Sequence, residues 1–161
     1  MREYARFFRD YLEGCEGSFV NDTGVQVGVR QTRQVKGKAT LLNADVVAGT
    51  KFRDGIACSP WPIELHSGEK PRVEWLLEAV YEIPFGCFVP ESGAGPPTAA
   101  RCLSAEPDAV ASARLTAQCF GYGHAVGHAA LIAAQDGVSV QAIDGTDIRA
   151  RVNRDGAQLD S

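Results

Sequence analysis

The residue types best suited to chemistry crowd into one run, Cys119-Phe120-Gly121-Tyr122-Gly123-His124-Ala125-Val126-Gly127-His128-Ala129-Ala130-Leu131. His124 and His128 stand at i and i+4, a spacing that puts two imidazoles on one helix face. Ala125 follows His124, where a zinc protease of the H-E-x-x-H type needs glutamate as general base. No third ligand is evident in the sequence, so no metal is expected. Gly121, Gly123 and Gly127 form G-x-G-x-x-x-G, one residue too long for a dinucleotide fingerprint, and no β-rich run precedes them. Two readings remain. Either a helix start made of small residues lies flat against a ligand, its amide groups favouring negative charge, or the small residues serve tight helix packing.

Arg30 and Arg33 lie three apart in an extended or turning segment. There they either hold an anionic substrate group in bidentate fashion or pair with carboxylates for structural reasons. His66 follows the Ile63/Leu65 alternation and is either an acid–base group working near neutral pH or a satisfied structural histidine. Cys15, Cys58, Cys87, Cys102 and Cys119 are odd in number and form no C-x-x-C pair, so reduced, mostly buried thiols are expected.

These groups must be positioned by the 161 residues present, enough for one domain with a real core. The net charge of −4 argues against a nucleic-acid binder, which needs a concentrated basic face. No apolar run reaches the roughly 20 residues of a membrane span. The charged amino terminus, MREYARFFRDYLEG, does not resemble a secretory signal, so a cytoplasmic location is expected.

Tyr4, Phe7, Phe8, Tyr11 and Leu12 recur at helical spacing up to Gly14, leaving an apolar face that needs a cover. Val25, Val27 and Val29 alternate like a strand, and Thr32 to Leu42 reads as its returning partner, with a turn or bulge at Lys36-Gly37-Lys38. Asn43 to Val47 reads as a short helix ended by Gly49. Phe52 to Pro71 holds no period and reads as loop, with a short strand near Ile63 and Leu65. Residues 73–83 suit strand or helix, because Val73, Trp75 and Leu77 alternate within a segment that also fits a helical turn. Phe85 to Val89 and Thr98 to Leu103 read as strands. Ala109 to Gln135 reads as one long helix stopped by Gly137, and Asp144 caps a last helix that ends near Gly156.

An ordered series of segments resembles the carboxyl-terminal part of the FAD-dependent oxidoreductases, flavoproteins of the glutathione-reductase type. VGVRQTRQ, at Val27 to Gln34, resembles that family's V-G-V-R-E-T-R-R. GKATLLNADVVAG at Gly37 to Gly49, Phe52 to Ala57, PIELH at Pro62 to His66 and YEIPFGCFVP at Tyr81 to Pro90 continue the series. AARCLS at Ala99 to Ser104 is similar to A-G-R-C-I-S, and RLTAQCFGYGHAVG at Arg114 to Gly127 to R-V-M-P-T-C-M-A-L-G-Q-A-A-G. The matches run from about residue 4 to residue 156.

The resemblance implies an α+β fold: strands of a substrate domain over residues 1–97, then a flavin-contacting strand and carboxyl-terminal helices over 98–161, in one compact unit. It implies FAD as cofactor, with Arg101, Cys102, Gly123, His124 and Gly127 beside it. A reduced flavin gains negative charge around N1 and the C2 carbonyl, which a helix start would stabilise. Arg30 and Arg33 would face a small-molecule substrate, and His66 would be the catalytic base. Ala100 and His124 depart from the family's glycine and glutamine, and the amino-terminal βαβ unit that grips the ADP half of FAD is not found in these residues. The expected partner is therefore a second chain supplying that half, with no nucleic acid and no membrane. The rival reading is a non-catalytic fragment or assembly module that binds no FAD alone.

Overall fold

The structure, a computed structural model, describes residues 1–26, 28–66, 70–76, 80–93 and 95–159; Val27 and Leu77, used in the strand readings above, lie outside them. It is an α+β arrangement of helices and two small antiparallel sheets. The first sheet pairs β1 (Gly55–Ser59) with β4 (Tyr81–Pro84), and the second pairs β2 (Ile63–Leu65) with β3 (Arg72–Glu74).

All four residues of β4 are buried, and so are all of β1 except the half-buried Cys58. Burial on both faces erases the polar/apolar alternation that marks a half-exposed strand. That is why β1 reads as loop in the sequence. β2 falls where the Ile63/Leu65 alternation placed it.

The expected strands at 25–29 and 32–42 do not form among the described residues. The described part of 25–34 is exposed and carries no ladder. Residues 35–41 instead thread between two neighbours on single backbone bonds: Val35 N–H to Cys102, Lys38 N–H to Val89 and Leu41 N–H to Ser104. Gly37 sits where a Cβ would meet the Gly86 carbonyl at 2.8 Å and Ser104 Cβ at 2.8 Å, so this crossing requires glycine. The segments read as strands at 85–89 and 98–103 are 3-10 turns at Phe85–Phe88 and Ala100–Cys102.

Helix α1 (Arg2–Tyr11) buries no residue, and Tyr4, Phe7, Phe8 and Tyr11 are all exposed. Helix α2 (Asn43–Ala48) ends at Gly49, in the left-handed region at φ 66°. The expected single helix from 109 to 135 is two, α3 (Pro107–Ala113) and α4 (Thr116–Asp136), broken at Arg114-Leu115. Tyr122 accounts for the break, because its hydroxyl donates to the Ala113 carbonyl at 2.9 Å and takes one of the bonds a continuing helix would make. Gly137 stops α4 at φ 65°, and Asp144 caps α5 (Gly145–Arg154) by accepting from Thr146 N–H at 2.9 Å.

The core draws Leu41, Val46, Ile56, Ile83, Phe88, Tyr122, Ile148 and Val152 into one cluster. Inside it, Glu82 on β4 is 2% exposed and meets Arg149 of α5 in a two-armed pair, Nη1–Oε2 2.9 Å and Nη2–Oε1 3.1 Å. Glu82 also accepts from Phe52 N–H, and Arg149 donates to the Gly55 carbonyl at 2.9 Å. Arg149→Met leaves a buried carboxylate without its cation and should cost about 3–5 kcal/mol in urea unfolding. Combining it with Glu82→Leu should recover part of that loss.

Candidate functional site

A cleft of about 170 Å³ opens over the start of α4, lined by Arg30, Glu64, Arg101, Arg114, Leu115 and Thr116, with Ala111 at its base. Three segments deliver its guanidinium groups. Arg30 comes from the exposed thread before residue 35, which Gln31 fastens by donating to the Pro107 carbonyl at 3.3 Å. Arg101 comes from the 3-10 turn, which Cys102 closes by donating through Sγ to the Ala99 carbonyl at 2.9 Å. Arg114 comes from the α3–α4 break.

The arginines are interlocked. Arg101 Nε donates to the Arg114 carbonyl at 3.3 Å, and Arg114 donates to the Glu64 carbonyl at 3.3 Å and to Gln31 Oε1 at 3.4 Å. Partial burial, then the like charges of Arg30 and Arg101, hold Arg114 below the usual guanidinium range, while Glu64 acts in the opposite sense. It stays protonated, since arginine does not lose its proton in proteins. Three cations therefore face one carboxylate, an excess of positive charge of the kind that suits an anion.

The helix start adds to this. Leu115 at the N-cap has no oxygen to offer the first-turn amides, and Gln118 turns back to accept from Leu115 N–H at 3.0 Å. The uncapped turn points its partial positive charge at the cleft. Buried polar contacts anchor the α3–α4 corner to the first sheet: Tyr81 to Ser112 at 2.7 Å, Ser112 to the Trp61 carbonyl at 2.5 Å, and Gln118 to Ser59.

Of the residues singled out in the sequence, Arg30 and Arg101 line the cleft. His66 is exposed at its edge, its Nε2 3.2 Å from Oε1 of the cleft residue Glu64. Arg33 is exposed and does not line the cleft. Cys102 is half-buried behind Arg101. Gly123, His124 and Gly127 are exposed further along α4. Because α4 begins at Thr116, Gly127 stands about 16 Å beyond its start at ~1.5 Å per residue. A Cβ added at Gly123 or Gly127 would meet nothing within 4 Å, so neither glycine is there for packing within this chain. Arg114 was visible only as the first letter of a motif. Its role follows from the helix break, which the alanine-rich composition conceals.

None of the five cysteines is in a disulfide. Only Cys87 is fully buried, and burial pushes its thiol up to about 12; the other four are half-buried rather than mostly buried as expected. Asp155 supplies what the sequence did not reveal near the histidines, a carboxylate touching both His124 and His128.

The family profile of the FAD dependent oxidoreductases matches residues 1–152. The chain belongs to that family, and the family's cofactor is FAD. No curated protein and no solved structure matches the chain. The cationic cleft and uncapped helix start fit the electron-accepting end of a flavin, where negative charge develops. Among the described residues no strand runs through a glycine loop into a helix, the cradle that a pyrophosphate takes. No helix among them is long and apolar enough to cross a membrane.

One strained residue is the chain neighbour of the cleft residue Arg101. Ala100 has φ 66°, the left-handed region where a Cβ crowds the carbonyl, at the position where the resembled motif has glycine. Ala100→Gly should raise the unfolding free energy by up to about 1 kcal/mol, the strain relief outweighing the added chain entropy. Urea denaturation checks the sign, and a loss of stability would contradict the strain.

Proposed function

We propose that this chain forms the substrate-side and carboxyl-terminal flavin-contacting part of an FAD-dependent oxidoreductase that oxidises a small organic substrate. The observation that carries the reading is the three-arginine cleft over the uncapped start of α4. When bound, FAD supplies the hydride acceptor. Arg101 and the first turn of α4 would face the electron-accepting end of the bound cofactor and favour negative charge there, and Arg30 and Arg114 would orient an anionic group of the substrate. His66 directs Nε2 toward Glu64, which leaves Nδ1 as the nitrogen that takes the proton of a substrate hydroxyl or amine. Substrate identity is set by contacts that the fold alone does not specify.

The ADP half of the cofactor would be held by a partner chain. Two exposed apolar faces support this: the aromatic face of α1, and the side of α4 carrying Phe120, Gly123, Gly127 and Leu131. The aromatic face of α1 also supports a second reading, a non-catalytic assembly module. The chain alone should retain little FAD after gel filtration. Co-expression with a chain carrying an ADP-binding half should yield a complex with the visible bands of oxidised flavin. A colourless complex would favour the assembly module.

In the flavin-loaded complex, Arg101→Met should weaken flavin binding and Arg114→Met should raise the substrate KM. Each loses a charge-assisted hydrogen bond of about 1.5–3 kcal/mol, or roughly 10- to 150-fold. His66→Asn should lower kcat with flavin content unchanged. Gly127→Val tests the α4 face separately, because the side chain enters open space in this chain and valine is the better helix former. It should leave the melting temperature of the isolated chain unchanged or slightly raised and should impair flavin loading in the complex. Unimpaired loading would remove Gly127 from the flavin surface.

A further inference from the structure

Where α4 passes the end of α5, two imidazoles converge on one oxygen. His124 Nε2 lies 2.9 Å and His128 Nε2 2.7 Å from Oδ2 of Asp155. The rings stand one turn apart on α4, their centroids separated by 4.9 Å. Asp155 is held at the C-cap of α5, its own N–H bonded to the Arg151 and Asn153 carbonyls. The three donor atoms lie within 4.8 Å of one another.

We propose that His124, His128 and Asp155 form a binding site for a divalent transition-metal ion of the Zn²⁺ class, with three protein ligands and solvent completing the shell. Two imidazole nitrogens and one carboxylate oxygen make a borderline donor set, suited to Zn²⁺, Co²⁺ or Ni²⁺. Mg²⁺ and Ca²⁺ take shells of oxygen. The i, i+4 spacing on a helix sets the two nitrogens without loop rearrangement. In a tetrahedral shell with bonds of ~2.0–2.2 Å the ligand atoms stand about 3.3 Å apart, so admitting an ion requires each imidazole nitrogen to move away from the Asp155 oxygen by about half an ångström. Asp155 and His124 have side chains 43% and 45% exposed, which leaves room for that adjustment and for a bound water, while His128 is 19% exposed and more firmly held. The carbonyl end of α5 adds partial negative charge beside the site and favours a cation.

A bound ion would clamp the middle of α4 to the end of α5. His124 lies about 12 Å along α4 from Thr116, at ~1.5 Å per residue, so the inference does not depend on the flavin reading.

The test titrates the metal-stripped full chain with Co²⁺ by visible absorption and with Zn²⁺ by calorimetry, with Mg²⁺ as the control ion. One equivalent of Co²⁺ or Zn²⁺ should bind while Mg²⁺ does not compete. His124→Gln and Asp155→Asn should each weaken binding by at least about 10- to 100-fold, the range that even partners outside the ligand shell command. Far-UV circular dichroism of each variant checks its fold. Thermal melting of the wild-type chain gives a readout that needs no variant: Zn²⁺ should raise the melting temperature and Mg²⁺ should not. Sub-stoichiometric binding, binding by either variant as tight as that of the wild type, or no Zn²⁺-dependent rise would overturn the site.

Discussion

The buried carboxylate of Glu82 constrains how everything around it is arranged. An ionised carboxylate away from water is tolerated only when paired and fully hydrogen-bonded. Arg149 supplies both arms of its guanidinium, and Phe52 N–H supplies a further bond. Meeting that demand brings α5 across the sheet. It also explains Gly55 on β1, where any Cβ would overlap the Glu82 carboxylate and crowd Arg149. The partners come from Phe52 and Gly55 around the start of β1, from β4 and from α5, so one ionic contact locks three stretches distant in sequence. Such a pair is weak evidence for net stability, since an apolar substitute often does as well. What it fixes is the relative placement of sheet and helix.

The cleft depends on a second constraint, the corner between α3 and α4. Tyr81, Ser59 and Trp61, on or next to the first sheet, present polar groups inward, and Ser112 and Gln118 of the two helices satisfy them. The corner is held by hydrogen bonds on one side and by the packing of Tyr122 against Phe88, ring centroids 4.7 Å apart, on the other. A continuous helix would bury the amides of Thr116 and Ala117 in its own ladder. Breaking it there exposes a helix start at the spot where Arg101 and Arg114 converge.

Much of this was legible in the sequence, for reasons that differ by element. Asn43–Ala48 was clear from its Gly49 stop and α5 from its Asp144 cap, because such residues act locally, although Asn43 itself lies inside the helix with Leu42 at the N-cap. Arg30 and Arg101, singled out because the family motifs bracket them, both line the cleft. The errors share a cause in tertiary context. Val25 and Val29 alternate, yet an alternating segment becomes a strand only where another strand pairs with it. β1 was missed because burial on both faces removes its period. The helix break at Arg114 was hidden because alanine-rich flanks favour helix on both sides, and only the long-range bond from Tyr122 interrupts it. Asp155 was invisible as a neighbour of His124 and His128 because the crossing of α4 and α5 is not written in either segment alone.

The two departures from the family motifs have different physical standing. Ala100 keeps the backbone shape that glycine would adopt freely, at φ 66°, so the turn carrying Arg101 persists despite a strained residue. The contacts that impose the shape are the Cys102–Ala99 closure and the Val35–Cys102 backbone bond, which together aim Arg101 at the Arg114 carbonyl. The glycine's steric freedom is lost while the direction of the arginine is kept. His124, by contrast, introduces a donor atom on an exposed face, where it meets Asp155 and His128 without disturbing the helix. In a chain of net charge −4, the cleft gathers three guanidiniums against one carboxylate while the histidine pair gathers around an aspartate. The start of this stretch of α4 is thus crowded by guanidinium groups, and its middle sets two imidazoles against one carboxylate.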